Sequence, residues 1–142
     1  MTAPKLSAGD LSVGQTFTAV LVEDLKRTQI VQYAGSSGDY NPLHTDEIFT
    51  TQVAGYPSVF AHGMLTMGMT GAMITDLVGD GVLKRFGGRF TSQVWPGDDL
   101  SATAEVTAVD TGDDPTVTLS VATTNGAGVT VFSGEAVASI NA

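Results

Sequence analysis

Apolar and polar positions alternate most regularly near the middle of the second half, where Leu100, Ala102, Ala104, Val106 and Ala108 interleave with Ser101, Thr103, Glu105 and Thr107. That period is the signature of a strand with one buried and one wet face. A run carrying Val117, Leu119 and Val121 repeats it after the turn-forming Gly112-Asp113-Asp114-Pro115, and residues 129–140 follow the turn signals Asn125-Gly126 and Gly128. Residues 82–95 predict a further strand that contains Gly87-Gly88, read as a bulge, and stops at Pro96-Gly97-Asp98. Residues 14–22, rich in β-branched and aromatic side chains, predict the first strand.

Helical spacing lies between the first strand and the rest. Leu25, Ile30, Val31 and Ala34 form an apolar stripe, with Glu23 and Asp24 suited to the positive first turn and Gly35 to the stop. Asn41-Pro42 predicts the cap and first position of a second helix fading near Thr51. A long helix is predicted from His62 or Gly63 to Val78, closed by Gly79, with Met64, Leu65, Met67, Met69, Met73, Ile74, Leu77 and Val78 on several faces. Such a surface asks to be enclosed, with Gly68, Gly71 and Ala72 admitting a sheet closely. Strand, helices, then four strands is α+β order with an antiparallel sheet wrapped round one helix, not alternating βαβ. The whole of residues 1–142 reads as one domain without linker or repeat.

Charge narrows the partners. Fifteen acids against six bases give −9, which argues against phosphate backbones and anionic membranes. The absence of cysteine removes disulfides, thiol nucleophiles and thiolate metal sites, and a cytoplasmic setting is compatible with it. The N-terminus, MTAPKLSAGD, lacks an apolar stretch of signal-peptide length and reads as uncleaved. Residues 48–75 carry no charged side chain, but Gly55, Pro57, His62 and Gly63 interrupt them, and residues 64–78 fall short of the roughly 20 a span requires.

Both histidines fall between Asp39 and His62, where polar residues gather beside irregular backbone. Asp39 precedes the Asn41-Pro42 turn and His44 follows it, so the turn can bring carboxylate and imidazole to one water, taking a proton from it and returning one to a substrate. At His62-Gly63 the leading N–H groups of a helix lack intrahelical partners, and the Gly63 N–H can face an oxyanion, glycine admitting a ligand to the backbone. Singly, each signal has a plainer reading: Ser-Gly-Asp as an ordinary turn, His44 as a solvated residue, His62 as a satisfied structural histidine, the methionines as core filler. Two histidines eighteen positions apart, with no cysteine ligand, make a poor zinc constellation, and no G-x-S-x-G or G-x-G-x-x-G motif is present.

Ser37-Gly38-Asp39-Tyr40-Asn41-Pro42-Leu43-His44-Thr45-Asp46 closely resembles the hydratase 2 motif of the MaoC-like family. Phe60-Ala61-His62-Gly63-Met64-Leu65 resembles that family's second motif, and Arg89-Phe90 with Pro96-Gly97-Asp98 its third. Within the family the likeness extends to the β subunits of mycobacterial-type (3R)-hydroxyacyl thioester dehydratases of fatty-acid elongation. The resemblance implies a hotdog fold and reversible syn hydration of trans-2-enoyl thioesters to (3R)-3-hydroxyacyl thioesters, with no cofactor. It implies that Asp39 and His44 activate water, that Gly63, with Asn41 and His62 beside it, serves substrate binding, and that the subunit pairs as a homodimer or with another hotdog subunit. A hotdog thioesterase, or a subunit active only beside a partner, are the alternatives. A coenzyme A or acyl-carrier-protein thioester would meet a surface of its own sign, so Lys84, Arg85 and Arg89, half of all the bases, are candidate carrier contacts.

Overall fold

The computed structural model describes residues 3–142; the reading of an uncleaved N-terminus rests partly on Met1 and Thr2, which lie outside the described residues. Five strands, β1 (Thr16–Val22), β2 (Leu83–Phe90), β3 (Leu100–Asp110), β4 (Thr116–Asn125) and β5 (Thr130–Ser139), and two helices, α1 (Arg27–Ser37) and α2 (Gly63–Val78), carry the fold. The strands form one antiparallel sheet in the order β1-β3-β4-β5-β2. Consecutive β3, β4 and β5 make its centre through tight turns, as at Asn125, whose side chain accepts from the Ala127 and Val129 N–H groups.

The alternating positions become the core. Leu100, Ala102, Ala104 and Val106 of β3, Val117, Leu119 and Val121 of β4, and Phe132, Ala136 and Ala138 of β5 are all buried, and much of this face packs on Met73, Ile74 and Val78 of α2. Ala108 leaves the pattern: the register slips between Val106 and Ala108, which exposes Ala108 and turns Val109 inward.

Helix α2 departs from the expectation of full enclosure. Its buried row is Thr66, Thr70, Met73, Ile74 and Val78, while Met64, Gly68, Ala72 and Asp76 line an exposed face. The inward Thr70 is satisfied locally: its hydroxyl is within bonding distance of the Thr66 carbonyl (2.9 Å) and of the Thr123 hydroxyl (2.7 Å). Of the small residues expected to admit the sheet, Gly71 does so, since a Cβ there would stand 3.2 Å from the Phe86 ring, whereas Gly68 faces open space.

Gly87-Gly88 is not the bulge; the register shift of β2 lies between Leu83 and Arg85. Gly88 pairs with Gly134, where the two backbones approach so closely that a Cβ on Gly134 would lie 2.1 Å from the Gly87 carbonyl oxygen and one on Gly88 2.3 Å from that of Ser133. The same spot seats Phe132, whose ring meets Phe86 and Phe90 at 5.8 and 5.7 Å. Strand β2 also ends at Phe90, earlier than residue 95, because the chain then runs irregularly to the Gly97 turn that is tied to Leu25.

Helix α1 begins later and ends later than its sequence suggests. Asp24 stands in the left-handed region (φ 51°) with its N–H bonded to Asp99, so Glu23 and Asp24 precede the helix, and the Lys26 N–H is capped by Gln29 Oε1. The helix passes through Gly35 and stops at Gly38 (φ 76°), and Val31 is exposed while Ile30 and Ala34 are buried.

Candidate active site

The stop at Gly38 starts a chain of short side-chain bonds that reverses the backbone. The Ser37 hydroxyl donates to the Tyr33 carbonyl (2.7 Å) and accepts from the Asp39 N–H (3.2 Å). Asp39 Oδ1 accepts from the Asn41 N–H (3.2 Å), and Asn41 Oδ1 from the Leu43 N–H (3.1 Å). The expected second helix is therefore two pieces, a 3-10 turn over Pro42–His44 and a π-helical turn over Phe49–Val53. Arg27 ties α1 to the segment between these turns and to the chain beyond them, bonding Glu47 at 2.5 Å and Ser58 at 2.9 Å. That guanidinium holds the Glu47 carboxyl below its ordinary range.

This reversal carries His44 inward, to 9% exposure, while Asp39 stays exposed. The His44 Nδ1 lies 2.7 Å from the Phe60 carbonyl, which can only accept. Nδ1 therefore carries the proton and the neutral ring presents a bare lone pair at Nε2, the form a general base requires. Burial lowers the His44 pKa from its ordinary value of 6.5, reinforced by His62 and opposed by the Phe60 bond and Asp39. A depressed folded pKa means that the unfolded chain binds more protons between the folded value and 6.5. The contribution of His44 to stability is thus fully present above that range and lost as pH falls through it. Wild type should show a steeper fall in urea midpoint than His44→Gln between neutrality and pH about 5; parallel curves would exclude this linkage.

His62 is the residue before α2, in extended conformation, and is 1% exposed. Its ring stacks on His44 (centroids 3.8 Å apart, planes inclined by 28°) and lies 4.9 Å from that of Tyr33. One ligand atom each from Asp39, His44 and His62 lies within 4.8 Å of the others, so residues separated by up to 23 positions converge. The cluster suits a proton-handling site better than a metal. Stacked rings direct their in-plane lone pairs side by side, whereas an ion at roughly 2.0–2.1 Å from each nitrogen needs them to converge.

No side chain among the described residues caps the first turn of α2, which leaves its leading N–H groups available. Gly63 is required here for a reason beyond ligand access: a Cβ would stand 2.9 Å from the Phe90 ring. Beside it opens a cavity of about 310 Å³, lined by Phe60, Gly63, Thr66, Phe90, Gln93 and Val131 among others. Asn41 is exposed and acts within the loop through its bond to Leu43.

The three clustered bases differ. Lys84 pairs with Asp114 and Arg85 with Glu135, so their charges are met within the chain. Arg89 has no ion-pair partner among the described residues and lines a shallow groove with Ser120, Ser133 and Glu135, on the sheet face opposite the side on which Phe90 meets Gly63. Sequence reasoning missed Tyr33 as a wall for His62, Phe90 as the ring over Gly63, and the Phe60 carbonyl that sets the His44 tautomer. The last has no signal in side-chain identity, because any residue supplies a carbonyl.

This fold and loop define the class. The MaoC like domain family pattern matches residues 10–127, and the chain belongs to that family. It is 33% identical to the (R)-specific enoyl-CoA hydratase of Aeromonas caviae, over 93% of this chain and 97% of that protein. The solved structure of the A. caviae (R)-hydratase involved in PHA biosynthesis superposes with a TM-score of 0.80 at 30% identity, covering 92% of this chain and 97% of that one. These similarities confirm the hotdog architecture. Over 46% of its length the chain is 44% identical to 3-hydroxyacyl-thioester dehydratase Y of Mycobacterium tuberculosis, and the match spans only 23% of that larger protein. No helix among the described residues is long and apolar enough to cross a membrane.

Proposed function

We propose that the chain is a hydro-lyase that interconverts trans-2-enoyl and (3R)-3-hydroxyacyl thioesters of coenzyme A or acyl carrier protein in fatty-acid metabolism. The observation that carries this reading is the convergence of the Asp39 carboxylate with a buried His44 whose tautomer leaves Nε2 bare, next to the uncapped start of α2. In the hydration direction, Asp39 and His44 hold one water. Its oxygen bonds to C3 as a proton passes to Nε2, and C2 receives a proton, which restores the neutral ring. The Gly63 N–H, at the positive end of α2, donates to the thioester oxygen and stabilises the charge gathering on it between these steps. Asn41 fixes the loop that carries both groups. The Asp39 carboxylate is exposed, so it meets water directly without needing burial.

The chain works as a single domain on this reading, in the cytoplasm, as a homodimer or beside another hotdog subunit. The similarity to the Aeromonas hydratase over almost the whole of both chains supports activity in a chain of this length. Of the three bases, Arg89 is the one left to meet a phosphate of the carrier, since Lys84 and Arg85 are ion-paired within the chain; it lies on the sheet face away from Gly63, so the carrier would reach it around the edge strand β2.

Loss of the ultraviolet absorbance of crotonyl-CoA, without release of free thiol, is the expected result for the purified chain. Thiol release instead would identify a thioesterase. Hydration seen only after a second hotdog subunit is added would mark this chain as one half of a heterodimer.

A further inference from the structure

The use of histidine at position 62 is not explained by packing. The side chain is 1% exposed and enclosed by Tyr33 and His44, and its Nδ1 is buried with no hydrogen-bond partner among the described residues. A buried nitrogen left unsatisfied destabilises the folded chain, and a phenyl ring of similar shape would not carry that penalty. The other nitrogen has a task. Nε2 lies 3.0 Å from the backbone carbonyl of Asp39, which can only accept, so Nε2 holds the proton and donates it across 23 residues of chain.

Building on the hydration reading above, we propose that His62 is a positioning residue for the Asp39/His44 pair: its hydrogen bond to the Asp39 carbonyl fixes the backbone that carries the carboxylate, and its ring face fixes the plane of the His44 imidazole. The two contacts leave from one rigid point, the residue preceding α2, whose next N–H belongs to Gly63. Carboxylate, imidazole and oxyanion donor are thereby referred to a single body. Misplacement of about 1 Å among such groups is enough to reduce turnover by roughly a hundredfold. His44 is held twice, at Nδ1 by the Phe60 carbonyl and on its face by His62, whereas the backbone of Asp39 is bonded to the rest of the site through His62.

Two variants separate the contacts. His62→Phe keeps a ring against His44 and removes the bond to Asp39, and His62→Gln keeps a donor and loses the ring. In crotonyl-CoA hydration, His62→Phe is expected to lower kcat by about tenfold or more with KM changed less than about threefold, because the thioester cavity is untouched. His62→Phe should stay folded by circular dichroism while the loss falls on kcat and not on KM, a split that a merely structural role for His62 does not give. His62→Gln should recover part of kcat. Both variants turning over within about twofold of wild type would overturn the proposal while leaving the hydration reading intact. If the wild-type chain hydrates no enoyl thioester, alone or with a second hotdog subunit, that reading fails on its own, and positioning is then read by amide hydrogen exchange. The Asn41 and Leu43 N–H groups should exchange about tenfold faster in His62→Phe than in wild type, and unchanged exchange would overturn the proposal.

Discussion

Asp39→Asn is expected to remain folded and to lose between about a hundredfold and ten-thousandfold in kcat, the range that positioned acid–base groups contribute. The substitution is clean because Asn retains the oxygen that accepts from the Asn41 N–H, so the reversal of the loop survives while the negative charge does not. His44→Ala should lose at least as much activity and also some stability, since it empties a buried site and leaves the Phe60 carbonyl without its donor. The double variant should lose far less than the product of the single losses, because both groups act on one water. Steady-state crotonyl-CoA hydration, with circular dichroism to confirm folding, makes the measurement. A variant as active as wild type at either position removes that residue from the mechanism.

The largest stability effect is expected far from the loop. Gly134→Ala should destabilise the chain by about 3 kcal/mol, roughly 10 °C in melting temperature, because the new Cβ meets backbone on the facing strand and no side chain can turn aside for it. Gly88→Ala should behave similarly, with its Cβ 2.3 Å from the Ser133 carbonyl oxygen and 2.6 Å from the tip of Phe132. Gly87→Ala, one residue away and facing open space, is the control and should change stability by less than about 1 kcal/mol. Equal effects at residues 87 and 134 would show that strand propensity, not close backbone approach, sets the requirement for glycine. The pair also bears on the site: Phe132 leans on Phe90, and Phe90 covers Gly63, so a shift at Gly134 is passed to the start of α2.

Local chemistry carried much of what was legible in the sequence. Alternation at Leu100, Ala102, Ala104 and Val106 identified a core-facing strand because the pleat repeats every two residues whatever the sheet looks like. The end of α2 at Val78, closed by Gly79, and its start to within one residue, at His62 or Gly63, followed from helix chemistry, and Asn41 bonding to the Leu43 N–H followed from the habit of asparagine in turns. The proximity of Asp39 to His44 was legible for the same reason: five residues around a proline-containing turn do not leave much room.

Errors arose where a neighbour decides. Helix α2 looked enclosed on every side because methionine is apolar wherever it stands, and only its packing against the sheet selected Thr66, Thr70 and Ile74 as its inner row. Gly87-Gly88 read as a bulge because a glycine pair marks either a bulge or a close approach, and the identity of the facing residue, Gly134, is a matter of register.

By itself, then, the sequence determined the order of elements, the α+β class and the loop that holds Asp39 and His44, all consequences of dihedral preference and side-chain period within short windows. Tertiary structure alone decided which histidine nitrogen is bare, that His62 lies flat against His44, that Lys84 and Arg85 are paired while Arg89 has no ion-pair partner among the described residues, and why residue 63 has no side chain. Each of these depends on an atom supplied by a distant segment: the Phe60 carbonyl, the Asp39 carbonyl, Asp114 and Glu135, and the Phe90 ring. Contacts of that kind have no period along the chain, because they are set by where the sheet and helix pack.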